Sequence, residues 1–249
     1  MAVSFKGAHF PKEVMLRGVR WYVASPLSTR HVEELMEERG VELDHATITR
    51  WVITYSPQLE DAFHRRKRPV WLSWRMDETY IRVTGEWCYW YRAVDKQGQT
   101  IDVLLTEPRD ARAALRVLTT AIRRHGVPAS ITIDGSAAHD AAIRSYNKEH
   151  GTALAIRQLK YLNHLVEPAH RAVKRITRPM LGLKSFAAAQ CTLAGVELMH
   201  LLKKRQLVVE EGDEGLTAAE QFYALAASLL HQQAQLASHR LHTKICDTT

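Results

Sequence analysis

Apolar residues recur at helical spacing through the first quarter of the chain. Val14, Met15, Val19 and Tyr22 follow Pro11, and a proline in the first helical turn costs little because its N–H would be unpaired there anyway. Ser25-Pro26 ends this helix. Ser28 caps a second, which carries Glu33 and Leu35 and stops at Gly40. Asp44 caps a third through Ala46, Ile48, Trp51 and Val52, so residues 11–57 read as three short helices. From Trp71 the period changes to two. Residues 72–83 (LSWRMDETYIRV), 87–94 (WCYWYRAV) and 100–106 (TIDVLLT) read as strands joined by short turns at Gly85 and Asp95-Lys96-Gln97-Gly98, an antiparallel meander.

Helical spacing then returns. Asp110 caps an amphipathic helix through Leu115, Val117, Leu118 and Ile122 that stops at His125-Gly126. A buried strand over 129–133 ends at Asp134-Gly135, a helix covers about 138–150, and a fifth apolar piece covers 153–156. A helix from about Val166, a long one over 185–204, and a last one opened by the Thr217/Glu220 capping box complete the pattern. The last helix has two open partners, this chain or a second subunit. Three strands, helix, strand, helix, strand, helix is the element order of the ribonuclease H-like fold: α/β, a mixed five-stranded sheet with flanking helices. Here it is preceded by an all-α segment.

Composition narrows the class. Hydrophobic residues make up 46% and charged residues 24% of 249 positions, as in a globular protein, which excludes a disordered or fibrous chain. The formal net charge is +7, and the excess of Lys and Arg is concentrated in residues 71–205 while the C-terminal part is net acidic. That distribution points to a polyanionic partner. Cys88, Cys191 and Cys246 form no CxxC pair, so neither a disulfide framework nor a zinc site is indicated, and His139, His150, His164 and His170 match no compact zinc spacing. No stretch reaches the roughly 18 apolar residues of a membrane span, and the N-terminal segment has no long apolar run, so a soluble, cytoplasmic protein is expected.

The first candidate chemistry is DNA contact. Two helices joined by a short Gly-containing turn form the helix-turn-helix pattern, whose later helix enters the major groove. Its outward positions would be His45, Thr47, Thr49 and Arg50, with Trp51 packed inside; a small packing bundle is the alternative. Arg65, Arg66, Lys67 and Arg68 form a basic linker suited to phosphates, or a solvated hinge. The expected division is a helix-turn-helix domain over 1–63, the linker over 64–70, a sheet domain over 71–205 and a C-terminal linker and helix over 206–249.

The second is a carboxylate cluster. Asp77 interrupts a strand whose core face should be apolar, Asp134 ends the fourth strand, and Glu167 opens the helix after the fifth. In this element order the first and fourth strands are neighbours, and the helix start can approach their edge. Glu78 points to the face opposite Asp77 and is set aside; Asp95, Asp102 and Asp140 fit turn, edge or surface positions. At about 100° per residue Glu167, His170, Arg171, Lys174 and Arg178 share one helix face, and Val166, Ala169, Val173 and Ile176 the other. Lys160 and Arg175 add to the basic row. The alternative is a solvated salt-bridge face. Trp74, Trp87 and Trp90 are expected in the sheet core rather than stacked on bases.

The runs WRMDETYIRV, YRAVDKQGQTIDVLL, KYLNHLVEPAHRAVKR and RPMLGLKSFAAAQCTLAGVELMH resemble bacterial insertion-sequence transposases of the IS-six type, over about residues 5–230. The resemblance implies a ribonuclease H-like catalytic domain behind a helix-turn-helix region, with Asp77, Asp134 and Glu167 as an Asp-Asp-Glu triad. It implies Mg²⁺ held by that triad, with Mn²⁺ as a substitute. It further implies a homodimer that joins element ends, the terminal inverted repeats, to double-stranded target DNA by replicative, cointegrate-forming transposition on the bacterial nucleoid. The chain has Asn163-His164 where relatives often have Asn-Asn, Pro168-Ala169 where Gln-Asp often follows the Glu, Ile133 where Thr is usual and Ile176 where Arg is common. None of these removes a carboxylate. A transposase-derived repressor and a plain ribonuclease H-like nuclease are the alternatives.

Overall fold

A two-residue turn at Thr84-Gly85 sets the register of the central hairpin. Both residues have positive φ, 50° and 91°, the conformation that matches the right-handed twist of flanking strands and that glycine adopts without strain. It closes β1 (Ser73–Val83) on β2 (Glu86–Asp95), which pair antiparallel from Val83↔Glu86 to Trp74↔Asp95. The computed structural model describes residues 9–107, 109–159, 165–180, 183–209 and 214–227. Contacts divide the chain into two compact units, one of residues 68–190 and one combining residues up to 67 with those from 191 onward.

In the first unit β3 (Thr100–Thr106) joins β2 antiparallel, and β4 (Ser130–Ile133) and β5 (Ala155–Gln158) join β1 in parallel, giving the order β3-β2-β1-β4-β5. This is the ribonuclease H-like mixed sheet that the element order predicts. The crossover helices are α4 (Ala111–His125) and α5 (Ala137–His150). Asp110 accepts from Ala113 N at 2.7 Å to start α4, and Gly126 at φ 83° ends it, both as expected. Leu118, Ala114 and Val117 of α4 and Ile143 of α5 bury against Trp74, Met76, Tyr91 and Ala93 of the sheet, the main core of the unit. The remaining acids take structural places. Asp95 accepts from the N–H groups of Gln97 and Gln99 in the β2–β3 turn, Asp102 pairs with Arg124 at 2.9 Å and Asp140 with Arg144 at 2.6 Å. After β5, α6 (Glu167–Thr177) carries Pro168 in its first turn and buries Ala169, His170, Val173 and Ile176, and a 3-10 turn Arg178–Met180 follows.

The second unit is helical. α1 (Lys12–Ala24), α2 (Thr29–Glu37) and α3 (His45–Arg65) start at Pro11, Ser28 and Asp44 as predicted; Ser28 Oγ accepts from His31 N and Asp44 Oδ1 from Ala46 N. One expectation fails. α3 runs on through Pro57 to Arg65, because Tyr55, Leu59, Ala62 and Phe63 extend its buried stripe. An interior proline costs about 3 kcal/mol, and burying several such side chains at about 1.5–3 kcal/mol each exceeds that. The basic run therefore begins as the end of a helix. It is also tied down, since Val208 N donates to Arg66 O at 2.7 Å and Lys67 bridges Leu207. α7 (Phe186–Lys203) supplies Leu193, Val196 and Leu198 to the buried set, and residues 218–227 form a helix, α8, capped reciprocally by Thr217 and Glu220. Phe222 and Leu225 of α8 are buried and Tyr223 accepts from Arg20 Nε at 2.9 Å, so the described part of this helix packs on its own chain. No helix among the described residues is long and apolar enough to cross a membrane.

Candidate active site

Two of the three candidate acids leave neighbouring parallel strands at one level. β1 and β4 pair up to Arg75↔Thr132, and Asp77 and Asp134 each come two residues after that last pair. Asp77 is 13% exposed and stands opposite Arg92 of β2, whose buried guanidinium donates to Thr100 Oγ1 at 3.0 Å. Asp134 follows the last residue of β4. Its Oδ1 accepts from Ser136 N at 3.1 Å, and Gly135 at φ 93° turns the chain into α5.

The third acid arrives on α6. His170, one turn after Glu167, is buried and places Nε2 at 3.6 Å from Asp77 Oδ2. Lys174, one turn further, lies with Nζ 4.6 Å from the ring centre of Tyr80, three residues along β1 from Asp77. α6 therefore runs beside β1 with its first turn at the acids. Glu167 itself is 56% exposed and pairs with Arg171 at 3.7 Å. The oxygens of Asp77, Asp134 and Glu167 do not close within 4.8 Å of one another as a trio; among the described residues only Glu33, Asp44 and His45 do so. All three candidates nevertheless offer carboxylate oxygens, the hard donors that Mg²⁺ takes.

Behind Asp77 lies a polar cluster. Glu78 keeps to the opposite face, as alternation requires, but that face is core rather than solvent: its carboxylate is 6% exposed, bonded by Arg109 Nε at 2.6 Å and 3.4 Å from His139 Nε2. His139 is 1% exposed, neither ring nitrogen has a hydrogen-bond partner among the described residues, and the ring meets Tyr91 edge-on at 5.6 Å. Burial lowers the pKa of His139, against the opposing pull of Glu78, Asp134 and Asp77. That shared influence marks how near both strand acids are to it. Burial, and then the charge of Glu78, push the Tyr91 hydroxyl up to about 12. The sequence signal for this cluster was a carboxylate at a core-facing strand position two residues after Met76.

The basic row divides by burial. Arg171, Lys174, Arg175 and Arg178 are exposed, whereas His170, grouped with them by helical angle, is turned inward to Asp77. Lys160 lies outside the described residues. In the helical unit Arg50 is exposed and bonds Thr47 Oγ1 at 2.7 Å, Thr49 Oγ1 donates to His45 O, and His45 sits between Glu33 and Asp44 at 3.3 and 2.8 Å. Trp51 is buried as expected. Of the three sheet tryptophans Trp74 and Trp90 are core, but Trp87 is 56% exposed and lies beside the hairpin turn at the start of β2.

Comparison with known proteins meets this geometry. Residues 71–206 match the IS240-type transposase family described as a DDE domain. The transposase for insertion sequence-like element IS431mec of Staphylococcus aureus is 34% identical over 209 residues, covering 81% of this chain and 89% of the relative. The transposase for insertion sequence element IS257 in transposon Tn4003, also of Staphylococcus aureus, matches to the same extent. Among solved structures, the HTLV-2 integrase catalytic core domain in complex with magnesium aligns with a TM-score of 0.43 at 16% identity, over 61% of this chain and 95% of that one.

Proposed function

The chain belongs to the IS6-type insertion-sequence transposases, enzymes built on a DDE domain, and from that premise we propose that Asp77, Asp134 and Glu167 are its catalytic triad. The reading is that it cuts the 3′ ends of its element and joins them to target DNA. The observation that supports it is the strand register, in which Asp77 and Asp134 each follow the last β1–β4 pair by two residues, together with the contact of His170, one turn after Glu167, with Asp77.

Two phosphodiester exchanges make up the reaction. Water attacks the phosphorus at the element end, and the bond to the departing 3′ oxygen breaks, leaving a free 3′-OH. That hydroxyl then attacks a phosphorus in the target strand and displaces the target's own 3′ oxygen, so one bond is made for each one broken. Divalent ions, Mg²⁺ with Mn²⁺ as a substitute, held by the three carboxylates would activate the attacking oxygen and stabilise the leaving one. Arg171, Lys174, Arg175 and Arg178 hold phosphates beside the acids. The helix-turn-helix positions His45, Thr47, Thr49 and Arg50, with the Arg65–Arg68 run, bind the terminal inverted repeats. A homodimer brings two ends together on the nucleoid in the bacterial cytoplasm, and the joined product is a cointegrate.

The test is Asp77→Asn, Asp134→Asn and Glu167→Gln in a joining assay on short duplexes carrying the element end. Each variant is expected to lose joining while binding the end within about twofold of wild type. Full joining by any one of them removes that residue from the triad.

A further inference from the structure

Three residues along β1 from Asp77 the sheet presents an aromatic pair to solvent. Tyr80 and Trp87 are each 56% exposed, and their rings meet edge to face at 5.1 Å and 80°. They stand diagonally across the β1–β2 hairpin, with Arg82 directly opposite Trp87. An edge-to-face pair leaves ring faces open. Here cations attend them: the Arg82 guanidinium lies 5.8 Å from the Trp87 ring centre and Lys174 Nζ 4.6 Å from that of Tyr80.

The pair lines a cleft of about 1290 Å³ whose other walls carry Arg171, Lys174, Arg175, Arg178 and Lys184, and among the described residues no carboxylate lines it. That volume exceeds the roughly 300–1,000 Å³ of a small-molecule pocket. Two of its lining residues are joined where Thr84 N bonds Leu183 O at 2.9 Å. Cations without acids select a polyanion, and open aromatic faces add stacking, which every base offers and a phosphate or a protein helix does not. A paired duplex end keeps its bases stacked on each other, so the ligand that uses both features is unpaired DNA.

Resting on the transposase reading above, we propose that Tyr80 and Trp87 form a stacking platform for unpaired nucleotides beside the strand being cut. By strand rise Tyr80 lies about 10 Å along β1 from Asp77, on the face that alternation gives to Glu78 rather than to Asp77; α6 reaches both residues, through His170 at Asp77 and Lys174 at Tyr80. In the proposal a DNA strand whose reacting phosphate lies at the acids follows the α6 row of Arg171, Lys174, Arg175 and Arg178, which lines the same cleft as Tyr80 and Trp87, and meets the platform with its next few bases. The platform holds frayed bases out of the duplex and fixes the end against the acids.

The test compares a blunt duplex carrying the element end with the same duplex bearing a three-nucleotide unpaired extension that contains 2-aminopurine, using the full chain without divalent ions. Wild type should bind the extended duplex about tenfold more tightly, within the range of one base–aromatic stack, and should quench the 2-aminopurine. Trp87→Ala and Tyr80→Ala should lose the preference and the quenching while binding the blunt duplex within about twofold. Trp87→Phe should retain both. Both rings are exposed, so truncation opens no core cavity, and matching melting curves check the fold. Equal weakening on both probes, or quenching that survives both alanine variants, overturns the proposal. Because no joining is involved, the probe comparison reads the platform separately from the joining reaction. A chain that stacks the extension but never joins ends would refute the transposase mechanism and leave the platform standing.

Discussion

His170 Nε2 stands 3.6 Å from Asp77 Oδ2, with the histidine ring 3% and the carboxylate 13% exposed. The contact joins the first turn of α6 to the middle of β1. Among the described residues neither ring nitrogen of His170 has a hydrogen-bond partner, so the ring can bond Asp77 when the site tightens around its substrate. A residue that orients a ligating carboxylate typically contributes 10–100-fold to metal affinity or activity. His170→Ala should therefore lower joining by about that factor and raise the Mg²⁺ concentration for half-maximal joining, with DNA affinity unchanged. A flatter salt dependence of binding at full Mg²⁺ sensitivity would instead make His170 a phosphate contact.

Lys174 is an exposed cation of α6, one turn beyond His170. Its ammonium lies against the Tyr80 ring, which positions the charge without neutralising it. Lys174→Ala should weaken binding of every duplex tested and reduce the slope of log affinity against log salt by about 0.9, the value for one phosphate contact. Lys174→Arg should restore the slope. An unchanged slope in the alanine variant excludes the contact.

The elements were legible wherever a side chain declares its own backbone role. Ser28, Asp44 and Asp110 mark helix starts and Gly126 a helix end through local hydrogen bonds or a local φ, so sequence neighbours suffice to read them. Asp95 and Asp140 were separable from the candidate acids for the same reason, through the N–H groups of Gln97 and Gln99 and through Arg144 one turn on. What escaped depends on partners distant in sequence. Pro57 breaks a helix unless tertiary burial of Leu59 and Phe63 overrides it. His170 shares a helical face with Arg171 and Lys174, and only the passage of β1 alongside decides that it turns inward. Glu78 reads as an outward strand residue until Arg109 and His139, 31 and 61 positions away, close over it. Trp87 has the composition of core and the position of a hairpin end.

Gly195 marks a close approach inside the helical unit. A methyl group built there would meet Ser56 Oγ at 2.6 Å and Val23 Cγ1 at 2.7 Å, on side chains with almost no free space. Alanine in place of a helical glycine gains up to about 1 kcal/mol of intrinsic propensity. Overpacking of a filled core costs about 1–3 kcal/mol, so the clash decides the sign. Gly195→Ala should lower the urea midpoint with an unchanged m-value, and Gly195→Val should lower it further. A raised midpoint for Gly195→Ala would show that the helices separate freely.

His139 gives the metal-free protein a pH dependence with a defined sign. Burial lowers its folded-state pKa even though Glu78, Asp134 and Asp77 pull it upward and Arg109 pulls with the burial. The unfolded ring titrates near about 6.5. Between that value and the lower folded one, the unfolded chain binds more protons than the native one, so stability rises with pH across the window. The contribution is complete above about 6.5 and is lost as the pH falls below it, because the buried ring must take up a charge or leave its place. His139→Phe keeps an aromatic of similar size against Tyr91 and cannot titrate. Urea midpoints measured from pH 7 down to pH 5 should fall less steeply for this variant than for wild type, while Arg109 still holds Glu78. Carboxylates elsewhere titrate alike in both proteins, so the difference between the two slopes isolates the histidine. Parallel slopes would mean that His139 is protonated in the folded state as readily as in the unfolded one, its charge met by Glu78.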